Sequence, residues 1–127
     1  MTVYRNITTH LNYLDDRRTI YSCAHCNTHL IYQDDIISKA FQGQTGRAYL
    51  VVWINNIKLG VKEKRMLITG IHTIAEISCI HCHNKLGWKY IHAVESSQKF
   101  KEDKFIVEKQ KIVKETTSIP SNTYYED

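Results

Sequence analysis

The sequence predicts a mostly β domain in which small antiparallel sheets meet at a metal apex. Three observations lead there. β-branched and aromatic runs of strand length recur along the chain, and almost no segment has a helical period. All four cysteines fall in two C-x-x-C pairs, Cys23/Cys26 in YSCAHC and Cys79/Cys82 in ISCIHC. A C-x-x-C step lets two thiolates converge on one ion through a tight turn, and two such steps complete a tetrahedral S4 shell around Zn²⁺.

Residues 1–18 hold Val3, Tyr4, Ile7, Leu11, Tyr13 and Leu14 without a sustained period, an irregular N-terminal arm. Thr19-Ile20-Tyr21-Ser22 predicts a strand delivering Cys23. Thr28 to Tyr32 predicts a second strand leaving the first cysteine pair, and Asp34 to Ser38 a turn or single helical turn. Gly43 and Gly46 mark a loop. Arg47 to Ile54 (RAYLVVWI) is apolar on both alternating faces, which predicts a strand covered on both sides with Trp53 in the core. Asn55-Asn56 breaks that run. Arg65 to Thr69 and Ile71 to Ser78 predict two strands meeting near Gly70, the second delivering Cys79. Trp88 to Val94 reads as a strand, Glu95 to Lys99 as a polar loop, and Lys104 to Val113 as one long, partly exposed last strand. From Glu115 on the composition is that of a mobile tail. The domain is therefore expected over residues 19–114, between an arm at 1–18 and a flexible tail at 115–127.

With 127 residues, 43% hydrophobic and 24% charged, there is room for one domain around one core. No stretch approaches the ~20 apolar residues of a membrane span. The formal charge of +4 falls to about +2 once four thiolates hold one Zn²⁺, which weakens any charge argument for nucleic acid. The segment MTVYRNITTH has no apolar signal core, so export and disulfides are not expected.

Residues 27–78, 52 in all, lie between the two cysteine pairs, so the ion would clip two ends of a domain-sized segment. Rival readings are a thioredoxin-like redox pair and four unrelated buried thiols; two copies in matching strand-end contexts favour the metal. His25 and His81, each just before a second cysteine, read as loop histidines or donors toward sulfur, because a ligand there competes with its flanking thiolate. His72 and His92 fall in strands and read as hydrogen-bonded wall residues; His29 and His83 read as surface.

A catalytic zinc keeps a coordination position open for water, and four cysteines close the shell. No fifth cysteine remains as a nucleophile, and no nucleophile elbow or paired-carboxylate signature occurs. Lys62, Lys64 and Arg65 form a small basic cluster, and Lys99, Lys101, Lys104, Lys109, Lys111 and Lys114 a larger one. Glu102, Asp103, Glu108 and Glu115 interrupt the larger, which reads as a solvated edge rather than a nucleic-acid surface. Trp88, just after Leu86-Gly87, either lines a ligand pocket or shields the zinc sulfurs.

The strings YSCAHC, ISKAFQGQTGRAYL, MLITGIHTIAEISC, KLGWKY and ESSQKFKEDKFIVE resemble the yippee-like family over residues 19–108. The resemblance implies a β-tent, two antiparallel sheets pinned by one structural zinc on Cys23, Cys26, Cys79 and Cys82. It implies a non-enzymatic protein of cytoplasm and nucleus that acts through protein partners in a larger assembly. MLITG, NKLGW and a tail carrying IPSN are similar to the branch associated with the CTLH/GID ubiquitin ligase. The thalidomide-binding domain of cereblon is a more distant resemblance, at C-x-x-C…GWK. Its third cage tryptophan maps to Trp88, while the other two cage positions fall near Ile68 and Ile74, so that cage is expected to be incomplete. A pocket of Trp88, His72 and Phe41, taking a small molecule or modified peptide, is the alternative function. Methionine sulfoxide reductase B shares a zinc-clipped fold but needs a catalytic cysteine that this chain lacks.

Overall fold

The computed structural model describes residues 19–116. The arm and the last eleven positions of the tail, 117–127, lie outside the described residues. Nine strands are described: β1 (Thr19–Cys23), β2 (His29–Tyr32), β3 (Ile36–Gln42), β4 (Arg47–Val51), β5 (Ile57–Leu67), β6 (Gly70–Cys79), β7 (Lys85–Ala93), β8 (Phe105–Glu108) and β9 (Ile112–Thr116). They form a three-stranded sheet in the order β2-β1-β9 and a six-stranded sheet in the order β3-β4-β8-β7-β6-β5, every pair antiparallel. No helix among the described residues is long and apolar enough to cross a membrane.

The six-stranded sheet is covered on both faces, as the doubly apolar RAYLV run requires. Tyr49 and Val51 of β4 join Phe105, Val107, Ile77 and Leu86 against Tyr21, Leu30, Ile31 and Ile112 of the smaller sheet. Ala48 and Leu50 face the other way, with Ile74, Trp88, Tyr90 and Ile106, and Phe41 and Leu67 pack on them. Alternation along each strand sends successive side chains to opposite faces. Leu86 and Trp88 would then share a face, yet they belong to different clusters. The reason is a register shift: Ile77 pairs with Gly87 while Ser78 pairs with Lys85, leaving Leu86 as an extra residue. That bulge re-aims β7, so Leu86 fills the core between the sheets and Trp88 faces away from it.

Several expectations need correcting. β3 occupies most of a stretch read as a turn and a loop approach; only Gln33–Asp35 forms a 3-10 turn. β5 begins at Ile57, eight residues before the expected strand. Both are edge strands with mostly unburied side chains, held by backbone pairing rather than by a hydrophobic face, so they carry no apolar period. The β4 run stops at Val51: Val52 is exposed, Trp53 is half-buried, and Ile54 turns into the core between the sheets. The expected single last strand is two strands in two sheets, β8 and β9, joined by a 3-10 turn at Lys109–Lys111. The stretch Glu95 to Lys99 is not merely a polar loop, since Ser96–Lys101 is a 3-10 segment docked on β7.

Asn55-Asn56 lies beyond the end of β4, in the connection to β5, and joins the sheets. Asn55 donates from its backbone N–H and its Nδ2 to the Leu30 carbonyl, at 2.7 and 3.1 Å, and accepts from Trp53 Nε1 at 3.0 Å. Asn56 Nδ2 donates to the His29 carbonyl at 2.8 Å. These bonds satisfy β2 carbonyls at the seam between the sheets.

Candidate metal centre and the cavity beside it

Two turns of the same design build the sulfur cluster. In the first, Cys23 donates to Thr28 O at 2.8 Å and Asn27 donates to Cys23 O at 2.8 Å; in the second, Cys79 donates to Asn84 O and His83 to Cys79 O, both at 2.9 Å. Asn27 and His83 both take the left-handed conformation that closes such a turn, each with φ 65°. Each turn is also tied to a neighbouring chain segment, Ala24 N–H to Lys111 O and Ile80 N–H to Asn56 O, at 2.9 Å each.

The result brings Cys23, Cys26, Cys79 and Cys82 together with all Sγ atoms within 4.8 Å of one another. Cys23 Sγ lies 3.6 Å from Cys82 Sγ, and Cys26 Sγ 3.6 Å from Cys79 Sγ. A tetrahedron with Zn–S bonds of about 2.3 Å has edges of about 3.8 Å, so these separations fit one zinc. Cys23 and Cys79 are buried, and Cys26 and Cys82 half-exposed. Zinc bound here supplies a cross-link between the two sheets: Cys23 ends β1 of one, and Cys79 ends β6 of the other.

Burial pushes the Cys23 thiol up to about 12 and raises Cys79 as well. The Thr28 hydroxyl, 3.0 Å from Cys26 Sγ, pulls Cys26 down to about 7. His81 Nδ1, 3.0 Å from Thr28 Oγ1, completes the relay, so His81 acts on a sulfur through Thr28 and not as a ligand. Raised thiols hold their protons at neutral pH, and zinc must displace them. The apparent zinc affinity should therefore rise with pH from about 6 to 8; competition with a chromophoric chelator reads this, and a flat profile would count against it.

The opposite face of the large sheet carries a cavity of about 540 Å³. Phe41, Met66, Leu67, Ile68, Trp88, Tyr90, Phe100 and Lys101 are among the residues lining it. Phe41 and Trp88 both line this cavity. His72 is not a lining residue. It is fully buried behind Tyr90, ring centroids 5.3 Å apart, and Nδ1 donates to Gly70 O at 2.9 Å. Ile68 stands out on the rim and Ile74 lies in the sheet face, so the distant aromatic cage is absent at both positions. Tyr90, at the edge of Trp88 in a T-shaped contact of 6.1 Å, and Phe100 supply aromatic walls that the sequence reading missed.

By sequence Lys101 and Glu108 belong to a solvated edge, yet both are buried. Glu108 pins the loop beside the cavity, accepting from Gln44 N at 2.7 Å, Thr45 N at 3.2 Å and Thr45 Oγ1 at 2.8 Å. A Cβ at Gly43 would overlap this carboxylate, so any larger residue there makes the Glu108 side chain shift. Removing this carboxylate loses three hydrogen bonds whose donors, on exposed Gln44 and Thr45, water can pair, at about 1–2 kcal/mol. Glu108→Ala should lower the denaturant midpoint accordingly while keeping full zinc content, and an unchanged midpoint would contradict the assignment.

Two antiparallel sheets closed by a four-cysteine cluster define a zinc-binding domain of the β-tent kind. Residues 19–126 match the family model Yippee-Mis18, described as Yippee zinc-binding/DNA-binding/Mis18, centromere assembly, and the chain belongs to that family. It is similar to a yippee-like protein of Arabidopsis thaliana, 60% identical over 96 residues, covering 76% of this chain and 91% of that one. It is also similar to protein yippee-like 3 of Homo sapiens, 52% identical over 103 residues, 81% of this chain and 87% of the relative. The crystal structure of the Mis18 'Yippee-like' domain shares the fold with a TM-score of 0.63 at 12% identity, covering 77% of this chain and 95% of that one.

Proposed function

We propose that this protein is a non-enzymatic, zinc-stabilised interaction module of cytoplasm and nucleus, an accessory subunit of a CTLH/GID-type ubiquitin ligase assembly. The observation that carries this reading is the sulfur cluster: all four cysteines lie in it, and a four-sulfur shell leaves zinc no position for substrate. With its ligands spent on stability, the domain has its surfaces left to act with. Apolar side chains are displayed there, notably Met66 and Ile68, 71% and 91% exposed on the cavity rim. Cys23, Cys26, Cys79 and Cys82 are proposed as the complete ligand set. Native affinity purification followed by mass spectrometry tests the assembly; recovery of free monomer alone would count against it.

A second reading is favoured by the cavity itself, whose volume and aromatic lining suit a small molecule or modified peptide. A folded Trp88→Ala chain that keeps every interaction would remove it. The family description includes DNA binding, but on this chain both basic clusters are partly neutralised: Arg65 lies 2.6 Å from Glu63 and 3.9 Å from Glu76, and Lys99 lies 3.4 Å from Glu102. Protein partners are therefore proposed ahead of nucleic acid. Salt-dependent DNA binding near physiological ionic strength would reverse that order.

A further inference from the structure

Lys101 is the least expected residue of the cavity. It is 4% exposed, and among the described residues no carboxylate lies within ion-pair distance of its ammonium. One of its three donors goes to Thr69 Oγ1 at 3.1 Å. The rest of its surroundings is aromatic: Nζ lies 5.4 Å from the Phe41 and Tyr90 ring centroids and 5.9 Å from that of Phe100. A buried ammonium is ordinarily paired, and rings alone compensate it only in part. Two further polar atoms in the cavity wall are buried and poorly met: the acceptor Gln98 Oε1 has no hydrogen bond, and the donor Trp88 Nε1 has no well-formed one, interacting only with the neighbouring Tyr90 side chain. Burial lowers the Lys101 pKa and raises that of Tyr90.

These unmet groups describe a ligand. It brings one negative charge for Lys101, an acceptor lone pair for Trp88, a donor for Gln98 and an apolar body for the rings. A phosphate brings two charges to a cavity lined by one cation and no arginine. A carboxylate with a neighbouring amide N–H on an apolar carrier matches every group. We propose that the cavity binds the C-terminal residue of a polypeptide with an apolar side chain: its carboxylate meets Lys101 and Trp88, its amide N–H meets Gln98, and its side chain packs on Phe41 and Tyr90. The preceding residues cross the exposed apolar rim of Met66, Ile68 and Phe100. The proposal deepens the second reading above and rests on it.

The test titrates the zinc-loaded full chain with the peptide acetyl-Gly-Ser-Gly-Ser-Phe, as the free acid and as the C-terminal amide, by calorimetry. The acid should bind about tenfold or more tightly, the worth of a charge-assisted pair. Lys101→Met should abolish that difference and melt no lower than the parent, since it removes an unpaired buried charge. N-acetyl-phenylalanine should bind more weakly than the peptide acid; equal binding would assign the cavity to small free acids and overturn the polypeptide end. Acid and amide binding alike would overturn the carboxylate while leaving a ligand cavity standing. No binding of either peptide would overturn the proposal, and a Lys101→Met chain that then melts well below the parent would make Lys101 a structural residue.

Discussion

Cys79→Ser should leave the domain without a cooperative unfolding transition. Cys79 ends β6 in the large sheet and faces Cys26, which belongs to the hairpin turn of the small one, across 3.6 Å. Losing that sulfur opens the shell at a buried corner, since Cys79 has no exposed surface. Structural zinc in small domains contributes an apparent ~10–16 kcal/mol, as large as the whole stability of a domain at about 5–15 kcal/mol. The expected product keeps β-rich far-UV circular dichroism, loses near-UV signal, binds a hydrophobic dye and carries less than one zinc per chain. Chelation of the parent should do the same, reversed by adding zinc. A serine variant that melts sharply within a few degrees of the parent would show that the sheets hold without the ion.

Gly87→Ala should be the most damaging substitution outside the cysteines. Gly87 sits at φ 156°, and a Cβ there would overlap the carbonyl oxygen of Ile106 on the neighbouring strand β8. The obstacle is backbone of a central ladder, where Gly87 pairs with Val107, so neither strand can step aside. Overpacking of this kind, added to backbone strain, costs about 3–5 kcal/mol, or more than about 10 °C in melting temperature for a domain of this size. Gly46→Ala is the control: φ is 134°, but nothing lies within 4 Å of the added carbon, so strain acts alone at about 1–2 kcal/mol. If the two alanine variants melt together, the close approach of β7 and β8 is not what demands glycine. Because Gly87 sits in the bulge that re-aims Trp88, partial unfolding should also red-shift tryptophan emission.

How much was legible beforehand follows burial. Strands rich in buried side chains announced themselves: Thr19 to Ser22, RAYLV, and the run from Ile71 to Ser78 all appear, because each is a strand-length run of β-branched, aromatic or aliphatic residues that buries much of its surface, RAYLV on both faces. β3 and β5 did not, because edge strands are held by main-chain bonds that every sequence can make. The division of Lys104 to Val113 was hidden for a related reason. Ile112 and Phe105 are both apolar core residues, and only the 3-10 turn between them sends one to each sheet. Thr28 offered a weak signal, a hydroxyl two residues beyond a cysteine.

The amino-acid sequence determined the strand-rich class, the four sulfurs and their pairing, because alternation and C-x-x-C spacing are local properties that survive without coordinates. Only tertiary structure decided what surrounds Lys101 and where Trp88 faces. Lys101 sits in a run of lysines that reads as solvated. It is buried because its 3-10 segment docks on β7, with Asp103 donating to Tyr90 O and Tyr90 to Lys104 O. Trp88 faces the cavity because one extra residue, Leu86, shifts the register of β7 on β6. Burial and facing are set by which elements meet, and side chains far apart in the chain settle that together.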